Sequence, residues 1–85
     1  MELELLFLIA NMRIGQRVTV FYINSNTRIL VTIYHNDYDE YKIIYHNCDT
    51  DFTWLTSYTS EKGMKESIQN ILNDEYNTIL FVNKI

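Results

Sequence analysis

An α+β domain with two helices on one face of an antiparallel sheet is what these 85 residues predict, on three grounds. Between positions 17 and 56, β-branched and aromatic segments alternate with short polar turns, and connections that short favour an antiparallel meander. Around 61–74 the apolar residues recur at helical spacing. Hydrophobic residues make up 47% of the chain, enough to form a core and to argue against disorder. The length allows one domain, residues 1–85.

Residues 2–13 predict a first helix of good helix formers. Glu2 and Glu4 in its first turn oppose the helix dipole, and Arg13 suits its far end. Gly15 is placed to stop it in a left-handed cap. A strand beginning Glu-Leu-Glu-Leu is the rival, but its alternation collapses after Leu5. Residues 17–23 form a strand ending in the turn Asn24-Ser25-Asn26, and 28–35 carry the strongest strand signal in the chain. The polar stretch 36–39 leads into a strand at 40–46, and 47–51 form another turn. Residues 52–56 make a short fourth strand. Ser60 caps a helix over 61–74 whose Met64, Ile68, Ile71 and Leu72 share one face. Glu61–Lys65 and Lys62–Glu66 are i,i+4 pairs on the other face. Residues 78–82 give a closing strand.

Alternation assigns the faces of the sheet. Val18, Val20, Tyr22, Ile29, Val31, Ile33, Tyr41, Ile43 and Tyr45 fall on the side that packs against the helices. The opposite side carries Phe21, Leu30, Thr32, Tyr34, Ile44 and His46, too apolar a set for a face that meets only water. Patches of that kind mark interfaces, unless loops or the 52–55 segment fold over them.

Composition adds an origin. The chain holds no proline, a single alanine and two glycines against eleven Ile, nine Asn and seven Tyr, the signature of an AT-rich genome such as that of a low-GC bacterium or its phages and plasmids. The net charge of −4 argues against binding nucleic acid directly, which needs clustered Lys and Arg. A single cysteine fits a reducing cytoplasm, and no apolar run approaches the roughly 20 residues of a membrane span.

Catalytic and metal sites find little support. His35, His46 and Cys48, with Asp49 or Asp51, are the one candidate metal set, but no Cys or His spacing typical of zinc accompanies them. Cys48 with His46 lacks glycine-rich backbone to supply an oxyanion hole. No cofactor is expected, and the chain reads as non-catalytic. Its candidate contact group is Asp37, Asp39, Glu40, Asp49 and Asp51, with Tyr34, Tyr38 and Tyr41 as aromatic anchors.

In charge and in coarse order of elements the chain resembles small anti-CRISPR and other anti-defence inhibitors, some of which mimic DNA; no residue motif carries the likeness. It implies a host protein as partner, a nuclease or other nucleic-acid enzyme. The alternative is a subunit that dimerises through Phe21, Leu30 and Ile44 on its outer sheet face.

Overall fold

A computed structural model describes residues 2–84. The order is α1 (Glu2–Ala10), β1 (Arg17–Asn24), β2 (Thr27–His35), β3 (Tyr41–Asn47), β4 (Phe52–Thr59), α2 (Glu61–Asn73) and β5 (Asn77–Lys84). The strands form one open sheet, β4-β3-β2-β1-β5, in which every neighbouring pair is antiparallel. The α+β architecture is thus the one the alternation and spacing predict. β1 to β4 are a meander; α2 then carries the chain from the β4 edge back to the opposite edge, where β5 pairs with β1.

Both helices lie on one side. Leu5 and Ile9 of α1, and Met64, Ile68 and Ile71 of α2, join Val18, Val20, Val31, Ile33, Tyr41, Ile43 and Val82 of the sheet in a single core. Each large aliphatic side chain buried there contributes roughly 1.5–3 kcal/mol of transfer free energy. Ser60 caps α2 as its sequence suggests, its hydroxyl accepting from the Gly63 N–H at 3.2 Å.

Several element ends differ from the sequence expectation, β5 among them, which runs Asn77–Lys84 rather than 78–82. α1 stops at Ala10 rather than Arg13, so Gly15 does not cap it. Gly15 (φ +91°) instead sits in a separate turn in which the Gln16 N–H donates to the Arg13 carbonyl. β4 continues to Thr59, because pairing with β3 resumes at Tyr41–Thr59 after a register shift. Glu40 belongs to the turn before β3, not to the strand.

Candidate interaction surface

No helix or loop covers the second face of the sheet among the described residues. The 52–55 segment does not fold over it; it extends the sheet as the edge strand β4. Cross-strand register arranges the outer residues in rows. Phe81, Phe21, Leu30, His46 and Thr53 form one, and Thr19, Thr32, Ile44 and Leu55 the next. Phe81 is 48% exposed and Leu55 53%. Phe21, Leu30 and Ile44 between them are half-buried by their neighbours alone.

The five strands contain no Asp or Glu, while Arg17, Arg28 and Lys42 stand on the outer face. An acidic protein therefore presents one apolar surface whose only charges are positive. At its end the Arg17 guanidinium lies 5.0 Å over the Tyr34 ring. Arg17, Tyr34, Lys42 and Tyr58 surround a shallow cavity of about 360 Å³ there.

The acids gather at the two ends of the strands. Asp37, Asp39 and Glu40 lie in the β2–β3 turn, Asp49 and Asp51 in the β3–β4 turn. The seven residues of β3 hold the two turns roughly 23 Å apart. The candidate contact group is thus divided rather than convergent. Three of its acids are also engaged internally: Asp39 with His35 at 2.6 Å, Asp49 with Arg28 at 2.8 Å, and Asp51 with His46 at 3.2 Å. The Arg28 backbone N–H and guanidinium hold the Asp49 carboxyl below its ordinary range.

The tyrosines separate as well. Tyr38 is 84% exposed beside Asp37. Tyr34 is half-buried on the outer face. Tyr41, at 4% exposure, belongs to the core and cannot serve as an anchor; it stacks on His35 with ring centroids 4.2 Å apart. Burial, then Glu61 and Asp39, push its phenol up.

The histidines and Cys48 do not assemble. His35 is buried on the inner face near the β2–β3 turn, whereas His46 is on the outer face beside Leu30, toward the other end. The described residues contain no group of three His, Cys, Asp or Glu able to hold a metal ion. His46 Nδ1 meets the Thr53 hydroxyl at 2.6 Å and Nε2 faces Asp51, while the Cys48 thiol points to the His46 carbonyl at 4.0 Å. Neither imidazole nitrogen is aimed at the sulfur, so the pair makes no nucleophile–base arrangement.

Tyr58 joins Tyr34 on the outer face, and Leu55 and Phe81 join it without any sequence signal that assigns them there. Period two over 52–56 would have put Leu55 on one side; Phe81 needed the knowledge that β5 pairs with β1. No family model, curated protein or solved structure matches the chain.

Proposed function

We propose that the chain is a non-catalytic protein-binding inhibitor of a host nuclease or other nucleic-acid-processing or defence enzyme, carried by a phage or mobile element and acting in the cytoplasm of a low-GC bacterium. The observation that supports a binding role is the bare outer face, on which Phe21, Leu30, Ile44, Leu55 and Phe81 sit with cations and no acid. Central apolar and aromatic side chains supply most affinity in such contacts, and charges at the rim set on-rate and salt sensitivity. Asp37 and Glu40 at one end and Asp51 at the other frame the face and suit the basic rim of a nucleic-acid channel.

The test is affinity capture of tagged protein from a low-GC bacterial lysate at about 50 and 300 mM salt, with mass spectrometry of what is retained. A nucleic-acid enzyme held at low salt and lost at high salt, and weakened by Phe21→Ser, is the expected result. Replacing Asp37, Asp39 and Glu40 together by amides should reduce its salt dependence. If both variants capture as the wild type does, this reading is wrong.

Self-association is the second reading, favoured by the two sheet edges. Neither β4 nor the β5 stretch from Asn77 to Asn83 carries a charge, so neither has the guard that discourages edge pairing. Capture of nothing but itself, together with a dimer in sedimentation that Leu30→Glu dissociates, would favour it.

A further inference from the structure

On the helix side the sheet is not sealed where α2 ends. A cleft of about 360 Å³ opens between the last turn of α2 and the ends of β1, β2 and β3, a volume within the range of small-molecule sites. Tyr22, Asn24, Tyr45, Ile71, Asp74 and Asn77 shape it.

Tyr22 is 7% exposed, yet its hydroxyl takes no side-chain or backbone partner among the described residues. Among the described residues no fully occluded side-chain oxygen or nitrogen lacks a partner, so this hydroxyl opens into the cleft. The Tyr45 hydroxyl beside it is unpartnered too. Facing an open cleft, both hydroxyls can exchange solvent for a ligand's hydrogen-bonding groups.

The polar wall is already fixed. Asn24 Nδ2 donates to Asp74 Oδ2 at 3.2 Å and to Asn77 Oδ1 at 2.7 Å, and Asn77 Nδ2 donates to the Ile71 carbonyl at 3.0 Å. Both amide protons of Asn24 are used, which leaves its own carbonyl oxygen as an acceptor. Among the described residues the lining contains one carboxylate and no cation. It lies at the C-terminal end of α2, whose last turn has no basic residue to offset the negative end of the dipole. Two phenol rings add electron-rich faces. A divalent metal would want more than one carboxylate or several preformed carbonyl ligands.

We propose that this cleft binds a small organic cation with an amine or guanidinium head, seated on Asp74 with the Asn24 carbonyl and the Tyr22 and Tyr45 hydroxyls accepting its remaining protons. The site is separate from the outer face, and its test is independent of the inhibitor reading.

The probe is agmatine, which carries both heads, titrated into nitrogen-15-labelled protein and followed by NMR. Saturable shifts confined to the residues of the cleft are expected, in the millimolar range. Asp74→Asn should weaken binding about tenfold. Because Asp74 also ends α2, Tyr45→Phe is the second variant; it removes one acceptor from the rim and should weaken binding about threefold. Pentanol, an uncharged chain of similar size, should not saturate. No saturable shift, an equal response to pentanol, or unchanged affinity in both variants would overturn the proposal. A capped arginine dipeptide separates the sources: binding tighter than agmatine assigns the cation to a partner's side chain, and weaker binding assigns it to a free amine.

Discussion

His35 is the side chain on which two loops converge. Its Nδ1 faces the Met12 carbonyl at 3.3 Å and its Nε2 the Asp39 carboxylate at 2.6 Å, while its backbone bonds Gly15 and Gln16. Both ring partners are oxygen atoms from separate loops, so the imidazole ties the segment after α1 to the β2–β3 turn. His35→Ala leaves a void against Tyr41 and a stranded carbonyl. We expect a loss of about 2–3 kcal/mol in urea unfolding, partly recovered by His35→Gln. From sequence the same residue reads as a metal candidate, because one of its two partners, Met12, lies 23 positions away and leaves no local trace. Tyr22 sets an alkaline limit. Burial, then Tyr45 and Asp74, raise its phenol from the ordinary 10.0 to about 12. Above pH 10 the unfolded chain ionises this group while the folded one resists, so its contribution is complete below 10 and is lost as pH rises towards 12. The urea midpoint should fall across that window, and more shallowly in Tyr22→Phe. Parallel curves for the two proteins would remove Tyr22 as the cause.

The elements show where local rules hold and where contact overrides them. Two turns share one device: the Asn36 side chain accepts from the N–H groups of Tyr38 and Glu40, and that of Asn47 from those of Asp49 and Thr50. Each turn then closes through an Asp in the left-handed region, Asp39 (φ 57°) or Asp51 (φ 59°). Asn and Asp adopt these roles readily, which is why both turns were legible from composition. The helical face of α2 was legible too, since Met64, Ile68 and Ile71 follow the period. The glycine inside α2 was not. Propensity alone makes Gly63→Ala worth roughly 1 kcal/mol of gain, yet a methyl group there would collide with the Thr59 side chain at the end of β4. We expect Gly63→Ala to cost about 1–3 kcal/mol, and Thr59→Ala in the same chain to restore most of it. A Gly63→Ala protein more stable than wild type would refute the close approach.

For the whole molecule, period two made both sheet faces readable because one of them had to meet the helices. The division of the acidic turns follows from the antiparallel meander itself, because consecutive turns lie at opposite ends of the strand between them. The place of β5 was not readable, because nothing in an apolar strand names its neighbour. The apolar outer face leads to a further prediction. Leu30 is half-buried with no second layer above it, so in a monomer Leu30→Glu should shift stability by less than about 1 kcal/mol. If the face is covered in solution by a second copy, wild-type melting will instead rise with protein concentration, and Leu30→Glu will abolish that dependence. The strand order has another consequence, in time rather than in space. Asn24 of β1 bonds Asn77 of β5 across 53 positions, beyond the entire meander and α2. At about 5–20 residues per second, a ribosome leaves β1 as an open edge for several seconds after β2 has emerged. A protein whose mature edges carry a single charge, Lys84 at the end of β5, passes through its synthesis with a third, temporary edge, and a chaperone that holds β1 until β5 arrives would raise its yield.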